Sequence, residues 1–190
     1  MHHDWHSREY VADWIAHDVA RDPERRPRLQ EMLAAAPFPT EAGIQVLDVG
    51  AGYGAVTEEV LKRFPNARVT LQDYSQPMLA EARRRLAAHS AQLVYVTADL
   101  TDPDWPRTVG GPFDLAVSAI ALHNLRDPPR IYACYRSIHD LLRPEGRFLD
   151  DDLFFAGVEG HIAELRAAGF AAVECPWQEP PRAILVATRG

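Results

Sequence analysis

The sequence has few of the features that mark secreted proteins, membrane-spanning proteins or proteins stabilised by a structural metal ion. It contains 2 cysteines in 190 residues, and two cysteines at this spacing form neither a disulfide framework nor a zinc motif. No apolar run approaches the roughly 18 residues of a transmembrane helix, and the beginning of the chain has no apolar stretch of signal-peptide length. We therefore expect a protein of a reducing compartment, the cytoplasm.

Positive charge is also scarce. The chain has 20 lysines and arginines against 27 aspartates and glutamates, a formal net charge of −7. Binding to nucleic acid draws much of its strength from neutralised phosphates, so we expect no nucleic-acid partner, and no anionic membrane surface for the same reason. A hydrophobic share of 47% and a charged share of 25% are those of an ordinary globular protein.

The pattern of apolar residues divides the chain into a helical segment, 1–40, and an alternating segment, 41–190. In the first, Tyr10 and Trp14 share one helix face, and a second helix starts at Asp22-Pro23. Strands and helices alternate afterwards. The predicted strands are 44–49, 68–72, 93–97, 113–120, 146–149, 170–173 and 183–188.

This alternation predicts a single α/β domain with a Rossmann-like, doubly wound sheet of seven mostly parallel strands and helices on both faces. The last two strands are joined by a proline-rich connection, 176–181, which is too short for a helical crossover. The last strand should therefore run antiparallel. Such a sheet binds its ligand beyond the carboxyl ends of its strands.

The strongest motif is the segment 46–54, Val-Leu-Asp-Val-Gly-Ala-Gly-Tyr-Gly. A buried strand here runs into three alternating glycines and then a helix, which lets a ligand approach the backbone. Taken alone the loop is ambiguous, because with Ala55 it also satisfies the G-x-G-x-x-G/A pattern of dinucleotide-binding proteins.

Three acids at strand ends bear on the choice of cofactor. Asp48 precedes the first glycine, where it can receive an ammonium but would repel a pyrophosphate. Asp73 follows the second strand, where an acid can accept both ribose hydroxyls. Asp99 follows the third strand, where it can accept an adenine amino group. Together they fit one ligand with an ammonium, a ribose diol and an adenine.

With these residues, the chain from about 44 onward resembles class I S-adenosylmethionine-dependent methyltransferases. The resemblance extends to four further segments, 98–100, 113–118, 141–147 and 167–170. It implies S-adenosylmethionine as cofactor and S-adenosylhomocysteine as product. The implied cofactor-binding residues are Asp48, Gly50, Ala51, Gly52, Asp73, Tyr74, Met78, Asp99, Leu100 and Ser118.

The acceptor side is less clearly marked. In the family the segment after the fourth strand faces the methyl group, and His123 is the candidate catalytic base there; alternatively His123 only shapes the cofactor pocket. Tyr10 and Trp14 would close over the site and meet the substrate, or merely pack their helix on the sheet. Arg26 is a candidate partner for the cofactor carboxylate.

The acidic run 150–152 follows the predicted fifth strand, where it would attract a cationic acceptor or a metal, or else be solvated. We expect no metal site of the catechol type, because no acid ends the fourth strand.

The stretch 154–161, where many small-molecule relatives insert a cap, is short. The acceptor pocket must then be open, closed by the N-terminal helices, or completed by a second subunit in a homodimer.

Three functions follow from the sequence. The first is O- or N-methylation of a small metabolite or peptide. The second is a catalytically inactive S-adenosylmethionine-binding protein that acts through a partner. The third, a nicotinamide-dependent oxidoreductase, is disfavoured by Asp48 and by the closing hairpin.

Overall fold

The computed structural model describes residues 4–190. Its helices are α1 Arg8–Val19, α2 Asp22–Ala34, α3 Ala55–Arg63, α4 Gln76–Arg85, α5 Trp105–Val109, α6 Pro128–Leu141 and α7 Glu159–Ala167. Its strands are β1 Gln45–Val49, β2 Arg68–Asp73, β3 Leu93–Thr97, β4 Phe113–Ala119, β5 Leu142–Leu153, β6 Phe170–Glu179 and β7 Arg182–Arg189. Two 3₁₀ turns lie at Ala87–Gln92 and Leu122–Leu125.

The seven strands form one sheet in the order β3-β2-β1-β4-β5-β7-β6. Strands β1 to β5 pair in parallel, and β7 is antiparallel to both of its neighbours. The predicted fold class is confirmed. The strand order reverses between β1 and β4, so the crevice that such sheets use for ligands lies above these two strands.

Two apolar cores flank the sheet, because alternate side chains of each strand point to opposite faces. One core joins β1 residues such as Val46 to helices α2, α3 and α4. The other joins Leu47 and Val49 to α5, α6 and α7, with Tyr135 at its centre. A third, smaller cluster holds α1 through Val11 against the glycine loop, so α1 lies at the ligand edge of the sheet and not over a face.

The structure departs from the predicted boundaries mainly in β5. This strand extends to Leu153, so Asp150, Asp151 and Asp152 lie inside it and not after it. The extension is possible because β7 pairs with these residues along its whole length, and because two of the acids have partners described below.

The closing hairpin is tighter than its prolines indicate. Strand β6 continues through Pro176 to Glu179, leaving Pro180 and Pro181 to connect it to β7. Proline is tolerated in β6 because this is an edge strand.

Among residues 4–190, no helix has the combination of length and apolar character that a membrane crossing requires.

Candidate functional site

A cavity of about 380 Å³ opens at the carboxyl ends of β1 to β4. Its wall contains most of the residues that the sequence assigned to the cofactor. These are Gly50, Ala51, Gly52, Asp73, Tyr74, Met78, Asp99 and Leu100. The N-terminal segment supplies Trp5, Trp14, Asp18, Arg25 and Leu29 to the same wall.

The glycine loop is held in place by the end of β2. The Gly50 amide donates to the Gln72 Oε1 atom at 3.0 Å, and the Gly52 amide donates to the Asp73 Oδ2 atom at 2.8 Å. Both glycines have left-handed backbones, with φ of +66° and +54°, which favours glycine over any residue with a side chain. The loop is therefore a preformed wall of the cavity.

The two glycines differ in what a side chain would meet. A Cβ atom on Gly50 would lie 2.4 Å from the Cβ atom of Ala121, so Gly50 is required by packing. Among the described residues, a Cβ atom on Gly52 would meet only the Met78 sulfur, at 3.9 Å, and would otherwise project into the cavity. Gly52 thus keeps space open for a ligand.

The Asp73 carboxylate is buried and held from two sides. Its Oδ1 atom accepts the Ser75 amide at 2.8 Å, opposite the Gly52 amide on Oδ2. Burial raises the pKa of Asp73, and the backbone amides of Ser75 and Gly52 partly offset that rise. Each oxygen retains a lone pair, so a diol in the cavity can still donate to it.

Asp99 is exposed at the opposite end of the cavity. Its Oδ1 atom accepts the amide and the hydroxyl of Thr101, both at 2.8 Å. Leu100, next to it, supplies a half-buried apolar wall.

Asp48 lies beneath the loop and not on the cavity wall. Its side chain is buried, its Oδ2 atom accepts the Thr57 hydroxyl at 2.6 Å, and its Oδ1 atom has no hydrogen-bond partner among the described residues. Burial raises the pKa of Asp48 to about 7, and the nearby Asp73 carboxylate adds to the rise. Asp48 is thus not on the cavity wall, and the expectation that it receives an ammonium, directly or through water, stays a prediction.

Two other sequence-assigned residues also lie off the wall. Ser118 is fully buried within β4, and Tyr10 lies behind Trp5, with their ring centroids 5.3 Å apart. Their roles toward cofactor and substrate stay predictions.

The N-terminal segment lies closed against the cavity. Trp5 packs edge-to-face on Trp14 at 5.3 Å between centroids, and its carbonyl oxygen accepts the Ser75 hydroxyl. Farther along, the Tyr53 hydroxyl of the glycine loop donates to the buried Asp18 carboxylate at 2.7 Å. That the segment from residue 1 to about 20 acts as a mobile lid over the cofactor stays a prediction, and its residues 1–3 lie outside the described part of the chain.

Of the arginines on α2, Arg25 and not Arg26 lines the cavity. Arg26 bonds to Glu59 at 2.5 Å and to Asp22 at 2.9 Å, and it does not reach the wall. Arg25 lies on the wall, where its guanidinium pairs with Asp18 and Asp22. The contact of Arg26 with the cofactor carboxylate stays a prediction, although acids on α2 and α3 already engage its guanidinium.

His123 and Asp152 form a hydrogen-bonded pair beside the cavity. The His123 Nδ1 atom lies 2.5 Å from one Asp152 oxygen, and the His123 amide donates to the other at 3.0 Å. His123 itself is not on the cavity wall, although Ala121 and Asn124 of the same segment are. Phe155 lies on its other side, exposed, with a centroid distance of 6.3 Å.

The acidic run of β5 is buried. The exposed fractions of Asp150, Asp151 and Asp152 are 0%, 0% and 2%, so a solvated run is excluded. Asp151 accepts two bonds from Arg182, at 2.7 and 2.6 Å. Within residues 4–190, no group of three or more histidine, cysteine, aspartate or glutamate side chains is arranged to hold a metal ion.

Several residues of the cavity wall were not predicted from the sequence. Gln72 is the clearest case, because its amide bridges the Gly50 amide and the Ala98 carbonyl oxygen, the latter at 2.6 Å. A polar residue near the end of an apolar strand was the available signal. The others are Asp18, Arg25, Thr101, Asn124, Arg126 and Arg130.

Comparison with known proteins agrees with this geometry. Residues 46–146 match a family model described as "Methyltransferase domain". The release factor glutamine methyltransferase of Chlorobaculum tepidum is 41% identical over 46% of this chain and 31% of its own length. A trans-aconitate 2-methyltransferase of Rhodopseudomonas palustris is 39% identical over 42% of this chain and 31% of its own.

Solved structures share the fold over nearly the whole chain. An O-methyltransferase family protein from Burkholderia thailandensis superposes with a TM-score of 0.74 at 19% identity, covering 99% of this chain and 61% of that one. Human N-acetylserotonin methyltransferase does so with a TM-score of 0.75 at 16% identity, covering 98% and 57%.

The fold and the cavity define a class I S-adenosylmethionine-dependent methyltransferase domain. The chain belongs to the methyltransferase domain family, whose model covers residues 46–146. It spans about a third of the length of the first curated relatives, 31% in each case.

Limited proteolysis tests whether the N-terminal segment closes over a ligand. Trypsin cleavage at Arg8, in the exposed first turn of α1, should slow when S-adenosylhomocysteine saturates the protein, because a ligand under Trp5 and Trp14 holds the segment closed. Cleavage at Arg107, whose side chain is 85% exposed and far from the lid, serves as the control. Equal rates at Arg8 with and without the ligand would favour closure by a second subunit.

Proposed function

We propose that this chain transfers a methyl group from S-adenosylmethionine to a hydroxyl oxygen of a small metabolite or a peptide. The observation that carries the proposal is the His123–Asp152 pair, which lies at the same sheet edge as the cavity. Family membership supports the cofactor, and the pair supports a hydroxyl acceptor, since that acceptor must lose a proton.

The residues on the cavity wall fit the cofactor. The space left by Gly52 suits its methionine part, the Asp73 carboxylate suits its ribose diol, and Asp99 with Leu100 suits its adenine edge. When bound there, the cofactor supplies an electrophilic methyl group on a sulfonium. Trp5 and Trp14 exclude water from that group.

Asp152 sets the proton arrangement of the base. A carboxylate beside Nδ1 favours the tautomer that carries its proton on that nitrogen, which leaves the Nε2 atom of His123 to accept the proton of an acceptor hydroxyl. Asp152 also accepts the His123 amide, so ring and backbone are fixed together. His123 and Asp152 thus remove and hold one proton.

Calorimetry tests the cofactor site without knowledge of the acceptor. Wild-type protein should bind S-adenosylhomocysteine at least tenfold more tightly than its 2′-deoxy analogue, since a hydrogen bond to a charged group contributes about 1.5–3 kcal/mol. The Asp73→Asn variant should bind both ligands weakly and about equally. If wild type and Asp73→Asn show the same ratio of affinities for the two ligands, with unchanged melting curves, Asp73 is not the residue that binds the ribose.

Turnover tests the reaction itself. Formation of S-adenosylhomocysteine would be measured with a panel of phenols, alcohols and amines as acceptors, and with trans-aconitate. Transfer to a hydroxyl supports the proposal, and transfer to amines alone contradicts it.

Tight binding without turnover would favour a second function, a cofactor-binding protein that acts through a partner. One observation favours that alternative: none of residues 154–161 lies on the cavity wall, so the acceptor side is uncovered there.

The proposal includes a cytoplasmic location. Cys134 and Cys175, both described, are unpaired, as expected in a reducing compartment.

A further inference from the structure

The three consecutive aspartates of β5 occupy two different environments. Side chains alternate along a strand, so Asp150 and Asp152 point to the α6 face of the sheet and Asp151 points to the other. Asp151 is matched by the guanidinium of Arg182, and Asp152 is matched by His123 and by the Leu153 amide. In the described part of the chain, Asp150 has no comparable partner.

The surroundings of Asp150 offer nothing that neutralises a charge. Its side chain is fully buried, and neither carboxyl oxygen has a hydrogen-bond partner among the described residues. Its register partner on β4 is Ser118, whose hydroxyl is also buried and unpartnered, and its register partner on β7 is Leu185. From α6, the neighbouring titratable group is the phenol of Tyr135.

An ionised carboxylate in this place would be costly in two ways. A buried charge without a hydrogen-bond donor loses its hydration and gains nothing in return. The nearest titratable groups of its own strand, Asp152 and Asp151, are also acids, so their charges would repel it. In agreement, burial and these two neighbours raise the pKa of Asp150 well above its usual value.

We propose that Asp150 is held as a neutral carboxylic acid beneath the His123–Asp152 pair, beside its register partner Ser118 on β4. The imidazole of His123 then faces one carboxylate and not two. This consequence rests on the proposed function, whereas the protonation state of Asp150 does not.

The sign of the pH dependence follows from the raised pKa. Above the pKa of an aspartate in the unfolded chain, about 3.9, unfolding releases the proton that folded Asp150 keeps. The free energy of unfolding therefore falls as pH rises toward the folded pKa. In the Asp150→Asn variant this loss is absent, so its melting temperature relative to wild type should increase between about pH 4.5 and pH 8.

Infrared spectroscopy reads the proton directly. At about pH 8, above the pKa of Asp48 near 7, wild-type protein should show a protonated carboxyl band that shifts in heavy water. The band should persist in Asp48→Asn and in Asp140→Asn, an acid whose side chain is 80% exposed, and should vanish in Asp150→Asn. A band of equal intensity in wild type and Asp150→Asn would overturn the proposal.

A measurement on unmodified sequence covers the case in which Asp150→Asn does not fold. Wild-type protein labelled with carboxyl-¹³C aspartate should give one aspartate resonance that stays at the protonated shift from about pH 5 to pH 8. If every aspartate resonance reaches the ionised shift by pH 8, Asp150 is charged and the proposal is wrong. Neither spectroscopic outcome depends on whether methyl transfer is detected.

Discussion

The His123→Gln variant is expected to methylate a phenol about 10²–10⁴-fold more slowly than wild type, the range that general acid–base catalysis supplies. Glutamine can still donate to Asp152, but it cannot accept a proton from the acceptor. The affinity for S-adenosylhomocysteine should be unchanged, because His123 is not on the cavity wall. Single-turnover rates and calorimetry on the same preparations check both statements.

Two comparisons separate a base from a residue that only shapes the pocket. If wild type also methylates a carboxylate acceptor, which has no proton to lose, that transfer should survive the His123→Gln change. The His89→Gln variant, on the exposed 3₁₀ turn after α4, should behave as wild type. An equal loss on phenol and carboxylate would assign His123 to pocket shape.

Asp152→Asn extends this prediction to the partner of the base. An asparagine amide can donate to Nδ1 and so favour the tautomer with its proton on Nε2, which cannot accept another. Transfer to the phenol should fall again, and transfer to the carboxylate should not.

The fold could be predicted from the sequence because it depends on local patterns of apolar residues and on the lengths of connections. Apolar strands alternate with helices, and a connection too short for a crossover separates the last two strands, which was enough for the sheet and for its antiparallel β7. The glycine loop and the acids Asp73 and Asp99 were readable for a related reason. Each follows directly from the end of a strand, and parallel strands end at one edge of a sheet.

The side-chain contacts between residues far apart in the sequence could not be predicted in this way. His123 and Asp152 are 29 positions apart, and Asp151 and Arg182 are 31 apart. Their contacts depend on the register of β4, β5 and β7. In the sequence, 150–152 resembles any solvated acidic run, and the distant partners His123 and Arg182 show how two of its three acids are accommodated in a buried strand.

The direction of side chains near the strand ends was the other feature that the sequence did not predict. Asp48 and Ser118 lie one or two residues from the ligand edge, but the alternation of β1 and β4 turns both into the layers between sheet and helices. The nearest wall residues are Gly50, two positions after Asp48, and Ala119, one position after Ser118. The sequence predicts where the ligand edge of the sheet lies, but it does not predict which side chains near that edge project into the cavity.

The Gly52→Val variant should lose detectable binding of S-adenosylhomocysteine while still folding. Within residues 4–190, the Cβ position of residue 52 meets no atom closer than the Met78 sulfur at 3.9 Å, so the valine side chain would project into the cavity. It would take the space that the proposed function assigns to the methionine part of the cofactor. Calorimetry at ligand concentrations up to the millimolar range would measure the loss.

Backbone strain must be separated from this steric effect, because Gly52 has a φ of +54° that valine adopts only at a cost. The matched control is Gly157→Val. Gly157 has a φ of +88° and no atom within 4 Å of its Cβ position, so it carries the strain without facing the cavity. Both variants should melt below wild type, but only Gly52→Val should lose the ligand. Normal binding by folded Gly52→Val would place the cofactor elsewhere. Gly50 offers no such test, because a Cβ atom 2.4 Å from that of Ala121 would disturb the loop with or without a ligand.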